Sequence, residues 1–154
     1  MSDLPRKRYP WRRRLLIAVL ILAVIFAGIY WYIATEKFAD TKDRKAAYTV
    51  SAIEFMREFE ENDSAANAKY ADRIVTVNGR VSAIEAPDTT LNVKFINPAT
   101  GSYVIFDFQQ QHQAEARTVK VGDSISIKGS CSGGIFSEIL ETTAITFKRS
   151  TLNK

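Results

Sequence analysis

Cysteine and histidine are almost missing from this chain, with one of each (Cys131 and His112) in 154 residues. A lone cysteine excludes an internal disulfide. One cysteine and one histidine in separate segments also fall short of the four ligands that a structural zinc site needs. No Gly-rich phosphate loop, Gly-x-Ser-x-Gly elbow or histidine-rich metal motif occurs. The expectation is therefore a protein that is not an enzyme and carries no cofactor. Internal repeats, low-complexity tracts and linkers rich in proline or glycine are absent as well. A charge excess is absent from most of the chain. Of the net +4, residues 1–34 hold six basic and one acidic side chain (+5), and residues 35–154 hold fifteen basic and sixteen acidic (−1). The larger part thus lacks the basic footprint of a nucleic-acid-binding domain. The positive excess reads as a topology and anionic-lipid signal.

What is present is one long apolar run. Residues 15–34 contain no charged side chain and directly follow Arg12, Arg13 and Arg14. At ~1.5 Å rise per residue a helix of that length spans roughly 30 Å, the hydrocarbon thickness of a bilayer. Leu15, Ile17, Leu20, Leu22, Ile25, Phe26, Ile29 and Trp31 supply its apolar surface. A cleaved secretory signal has a shorter core, ~7–15 residues, and a small-x-small exit. Here the exit side reads Ile29-Tyr30-Trp31-Tyr32-Ile33-Ala34. A lipoprotein signal would need a cysteine near the end of the run, and a core helix rarely runs so far without a polar break. An uncleaved single-span anchor fits best. Tyr9 and Trp11 before the run, and Tyr30, Trp31 and Tyr32 at its end, match aromatic belts at the two headgroup regions. Arg6, Lys7, Arg8 and Arg12–Arg14 outnumber Lys37, Lys42, Arg44 and Lys45 beyond it. That bias puts the N-terminus in the cytoplasm and the rest outside the inner membrane. The expected organisation is a basic cytoplasmic tail (1–14), a transmembrane helix (15–34), a juxtamembrane connector (35–49), a folded domain (50–149) and a C-terminal tail (150–154).

Ser51 and Glu54 have the spacing of a capping box, a hydroxyl and a carboxylate that can satisfy each other's free backbone N–H groups. Ile53, Met56 and Phe59, with Phe55, recur at helical spacing, so a helix is expected over residues 50–61. Asn62-Asp63-Ser64 can cap a second helix ending near Tyr70. After Asp72 the period changes to two. Five half-buried strands are expected, around Val75–Ala83, Leu91–Phe95, Val104–Phe108, Ile125–Cys131 and Ile145–Phe147. Turn signals separate them, among them Pro87-Asp88, Asn97-Pro98, Gly122-Asp123 and Gly133-Gly134. Such spacing suggests a small sandwich or barrel. Asn78-Gly79 is a hairpin dipeptide, but its flanks are short for two strands. A single first strand bent at Gly79 is the preferred reading. Residues 109–117 have good helix formers.

The order of Asn67, Lys69-Tyr70, Val77-x-Gly79-x-Val81, Val121-Gly122-Asp123 and Gly129-Ser130-Cys131-Ser132-Gly133 resembles the bacterial tRNA_anti-like family. The likeness covers residues 50–147. It implies a mainly β fold: an N-terminal transmembrane helix, then a helix and a five-stranded OB-fold barrel. Gly79, Gly122, Asp123, Gly129, Cys131 and Gly133 carry the motif. Relatives often have a second cysteine in the last strand; Thr142-Thr143 stand in that region here, so no disulfide follows. The family name reflects likeness to anticodon-binding domains and does not establish RNA binding.

In OB-folds ligands meet the second and third strands and nearby loops. The strand phase puts Phe95, Phe106 and Phe108 inward and leaves Tyr103 as the outer aromatic. Arg80, Asn92, Lys94, Tyr103 and Asp107 form the candidate ligand face, with loops 85–90 and 132–137. Their charges are mixed, a poor funnel for single strands. The expected function is a membrane-anchored, extracytoplasmic binding module of the bacterial envelope, meeting another envelope protein or a small ligand. The alternative is a single-stranded oligonucleotide binder. Cys131 is expected to be a structural thiol, and His112 a solvated residue.

Overall fold

The computed structural model describes residues 10–35 and 40–154. Arg6, Lys7, Arg8, Tyr9 and Lys37, part of the expected charge bias and aromatic belt, lie outside them. The chain divides into two units, Met1–Ala39 and Asp40–Lys154. The first contains helix α1 (Pro10–Thr35). It begins with proline, whose fixed φ and missing N–H suit a first helical turn. The helix therefore takes in Arg12–Arg14 as well as the apolar run. Its large apolar side chains are exposed, unlike those of a core helix. By length and composition Pro10–Ala34 can cross a membrane.

The second unit opens with a 3₁₀ turn (Thr41–Asp43) and strand β1 (Tyr48–Ser51), then α2 (Ala52–Glu61) and α3 (Asp63–Tyr70). Ser51 caps α2, its side chain accepting from the Glu54 N–H at 3.3 Å. Asn62 caps α3 through the Ala65 N–H at 3.0 Å. The second helix thus forms as expected. On α2 the buried stripe is Ala52, Phe55, Met56 and Phe59, while Ile53 points out to solvent. Strands β2 (Ile74–Arg80), β3 (Ala83–Glu85), β4 (Asn92–Ile96) and β5 (Tyr103–Phe108) follow. A 3₁₀ turn (Gln110–His112) and the short helix α4 (Gln113–Ala116) lead to β6 (Ser124–Ser137) and β7 (Thr142–Leu152).

All seven strands form one sheet in the order β1-β2-β6-β7-β5-β4-β3. This corrects the expected closed five-stranded barrel in two ways. First, β1 adds an outer strand, parallel to β2. Second, the expected first strand is split. β2 pairs with β6 and β3 with β4. Between them the Val81 N–H goes to the Asp123 carbonyl and the Ser82 N–H to the Lys94 carbonyl. The chain changes sheet edge there, so no continuous ladder closes the ring. The pairing also runs past the expected domain edges, from Tyr48 within the connector to Leu152 within the tail. The pair Gly133-Gly134 is not a turn. It lies inside β6 at a bulge, with Gly133 at φ 102°, and the hairpin turns instead at residues 138–141.

Gly79 does not make a hairpin; it pairs in register with Ile125, and the first strand breaks just beyond it, between β2 and β3. Its value is the missing side chain. A Cβ there would stand 2.8 Å from the Phe95 ring and 2.9 Å from the Ala52 Cβ. Glycine lets α2 and β4 close on β2. The core between them is aromatic: Phe55 meets Tyr70 and Phe147 with centroids 4.9 and 5.7 Å apart, and Phe106 meets Phe95 and Phe147 at 5.0 and 4.8 Å. Replacing Gly79 with Val should cost about 1–3 kcal/mol by overpacking. Thermal unfolding of the full chain in detergent, followed by circular dichroism, checks this; an unchanged midpoint would refute the close-approach role.

Candidate functional site

Strand alternation sends Val93, Phe95, Val104, Phe106, Ile145 and Phe147 into the core. The alternate residues of β3, β4, β5 and β7 therefore share the outer face. The register lines them up in rows: Glu85, Asn92 and Asp107; Ala83, Lys94, Ile105 and Thr146; Ile96, Tyr103, Ala144 and Ile135. The face thus brings together Asn92, Lys94, Tyr103 and Asp107. Arg80 is not among them. It ends β2, outside the paired rows though it lines one hollow with Ile96, and its Nε donates to the Gly122 carbonyl at 3.0 Å.

Three residues of the face, Glu85, Lys94 and Tyr103, are engaged with one another. Lys94 Nζ lies 2.6 Å from a Glu85 oxygen and 5.2 Å from the centroid of the Tyr103 ring. Burial pushes the Asp107 carboxyl above its usual value, partly offset by the nearby Lys148 ammonium. Two shallow hollows flank Thr146. One, of about 230 Å³, is lined by Thr90, Asn92, Ile105 and Asp107. The other, of about 460 Å³, includes Asn67, Ser132, Ile135 and Lys148. Among the described residues no cluster of three or more His, Cys, Asp or Glu could hold a metal ion.

The motif residues sit at joints of the fold. Asn67 clamps β6: its amide donates to the Gly134 carbonyl and accepts from the Gly134 N–H, both at 2.9 Å. The Tyr70 hydroxyl and Lys69 ammonium each donate to Glu58, at 2.9 Å, which ties α3 to α2. Gly122, at φ 95°, and Asp123, whose carboxylate accepts from the Lys120 N–H, shape the turn before β6. A Cβ on Gly129 would stand 2.7 Å from Ser150 Oγ. Cys131 is fully buried.

Two features escaped the sequence reading. The β6–β7 hairpin exposes Ile135, Phe136, Ile139 and Leu140, with Ile139 94% exposed. Residues 132–137, expected as a ligand-facing loop, are instead the end of β6, and the turn lies beyond them at residues 138–141. The second is His112, which is buried, not solvated. Its Nε2 lies 2.7 and 2.9 Å from the two oxygens of Asp40, so Nε2–H donates to the carboxylate. Lys128 Nζ donates to the Lys42 and Arg44 carbonyls. The described part of the expected juxtamembrane connector, residues 40–49, is thus strapped to the sheet.

A first strand split between β2 and β3, and a helix between β5 and β6, place the domain with the OB-folds. The chain belongs to the tRNA_anti-like family, whose model matches residues 6–141. A structural likeness extends to a lipoprotein of Klebsiella pneumoniae subsp. pneumoniae whose name proposes nucleic-acid binding. It shares 18% identity over 68% of this chain and 91% of that one, with a TM-score of 0.54. A looser likeness links it to the aspartyl tRNA synthetase of Entamoeba histolytica, at 10% identity over 55% of this chain and 19% of that one, with a TM-score of 0.41. No curated protein matches the chain.

Two predictions follow from this geometry. Burial pushes the Cys131 thiol up to about 11, so at pH 8 only about a thousandth is thiolate. Alkylation by iodoacetamide should be negligible in the native chain and rapid in denaturant, as read by intact mass. The Asp40 carboxyl is held below its usual 3.8 by the Lys42 N–H and by His112. Its stabilising effect is therefore complete above that value and is lost as pH falls through the lower, folded one. Asp40→Asn should lower the unfolding midpoint at neutral pH and flatten its fall in acid. Parallel pH curves for the variant and the parent would count against the strap.

Proposed function

We propose that this chain is a non-catalytic binding module of the bacterial envelope. Helix α1 anchors it in the inner membrane, and the OB-fold domain is extracytoplasmic. Its outer sheet face takes an envelope protein or a small ligand. The observation that carries this reading is the state of Lys94. The central cation of the face is already paired with Glu85 and lies over Tyr103, with Asp107 on the same side. A single-strand binder needs a basic track and rings free to stack on bases. A membrane anchor holds such a module in a thin layer, which raises the effective concentration of any membrane-bound partner.

The second reading is an oligonucleotide-binding module. The name of the Klebsiella relative and Lys148 at the edge of the face favour it. Fluorescence anisotropy of a labelled single-stranded oligonucleotide with the full chain separates the two. The first reading expects no saturable binding at physiological salt. Binding that weakens steeply with salt and is lost in Tyr103→Ala would overturn it. Protease access to a tag after Lys154 tests the placement. Cleavage in intact spheroplasts, with the anchor still in the membrane fraction, is expected; protection until lysis would reverse the orientation.

A further inference from the structure

Where the first strand splits, the surface opens into an apolar groove of about 630 Å³. Met56 and Phe95 form its buried floor, and Ile53, Ile96, Pro98 and Val121 its walls. Gly79 lines it as well. Ile53 and Val121 are 51% and 63% exposed, an unfavourable placing for aliphatic side chains grouped around a hollow. Arg80 stands on its rim, its Nε donating to the Gly122 carbonyl, and the exposed Lys120 adjoins Val121. Of the nearby carboxylates, Glu54 is offset by Arg57, and Asp123, which accepts from the Lys120 N–H, is a single negative charge beside the two cations. The groove is therefore apolar inside and cationic at its edge.

The β6–β7 hairpin tip has the opposite character. Ile139 and Leu140 project from it, 94% and 68% exposed. Glu138 and Glu141 flank them, and no lysine or arginine occurs between Lys128 and Lys148. The tip cannot fill its own groove. Phe136 lies beside Glu60–Asp63 at the C-terminal end of α2, while the groove lies at Ser51–Met56, the N-terminal end. A ten-residue helix, roughly 15 Å long, separates them.

We propose that copies of this chain associate head to tail, the β6–β7 tip of one seating in the split-strand groove of the next. Ile139 and Leu140 enter the groove, and Glu138 and Glu141 meet Arg80 and Lys120. A bilayer is the poorer occupant for the tip, since its two glutamates would face anionic headgroups. A small apolar ligand would fill the groove but leave the tip in water. Because the two patches differ, the contact is heterologous and builds rings or rows. The groove shares Ile96 with the outer face but the inference does not depend on that face's ligand, so the cross-linking result and the oligonucleotide-binding result are read separately.

The test uses full-length chains in detergent. Ile139→Cys and Val121→Cys chains are prepared separately, mixed, and treated with a short thiol cross-linker; the native Cys131 is buried and remains unmodified. The expected result is a dimer several-fold more abundant in the mixture than with either variant alone. Adding Glu138→Lys and Glu141→Lys to the tip chain should reduce it to the single-variant level. Adding Arg80→Glu and Lys120→Glu to the groove chain should then restore it, with thermal unfolding confirming that each variant folds. Because the tip residues are exposed, Ile139→Ser with Leu140→Ser gives a second loss variant without a folding penalty, scored by cross-linking Glu141→Cys to Val121→Cys. Equal cross-linking of Ile139→Cys to itself, or no dimer in the mixture, would overturn the proposal. So would protection of Val121→Cys from a soluble maleimide that is insensitive to the tip substitutions, since another occupant would then fill the groove.

Discussion

The sheet of this domain has a core only because the aromatic side of α2 is pressed into it. Phe55, Met56 and Phe59 are fully buried among Tyr70, Phe95, Phe106 and Phe147. Glycines stand where the approach is tightest: a Cβ on Gly134 would meet the Phe59 ring at 2.6 Å, and one on Gly79 would meet Phe95 and Ala52. Interiors pack like crystals, so a helix this close leaves no room for a methyl group. Ser51 and Asn62 set where α2 begins and ends. Asn67, Lys69 and Tyr70 then hold α3 to β6 and α2. The split first strand lies at the N-terminal end of this same helix.

The residues by which the family is recognised are thus joints of the fold. Asn67 satisfies both backbone groups of Gly134, Gly122 and Asp123 make a turn, and Gly129 makes room for Ser150. Asn67, Gly133 and Gly134 also line the hollow beside Thr146 at the border of the outer face, and Gly79, Val121 and Gly122 line the groove. Membership of the tRNA_anti-like family carries the architecture of this chain more firmly than its ligand.

Much of the fold was legible because short-range signals governed it. The capping hydroxyl of Ser51, the amide of Asn62 and the period-two runs at Val93–Phe95 and Val104–Phe106 all act within a few residues. The readings that failed were those settled by distant partners. His112 sits in a glutamine-rich stretch that looks solvated, yet Asp40, remote in sequence, buries it. Gly133-Gly134 looks like a turn, but β7 pairs across it and Asn67 holds it, so the strand continues to Ser137. Ile53 fits the apolar stripe of α2, yet Ala52 takes the inner position. Of the candidate face, Asn92, Lys94, Tyr103 and Asp107 do share one surface, because strand phase is local. Arg80 does not, because the break after it turns the chain to the other edge.

The sequence by itself determined the apolar helix with its arginine flank, the capped helices, the strand periods and the family. Each depends on composition or on neighbours within one turn or one strand. Tertiary structure alone decided that the first strand splits, that a parallel strand is added at the edge, and that Asp40 is tied to His112. It alone placed an apolar groove with a basic rim and an acidic apolar tip at opposite ends of α2. These features arise from contacts between residues far apart in the chain. No local period or spacing encodes such contacts; the packing of the core brings them about.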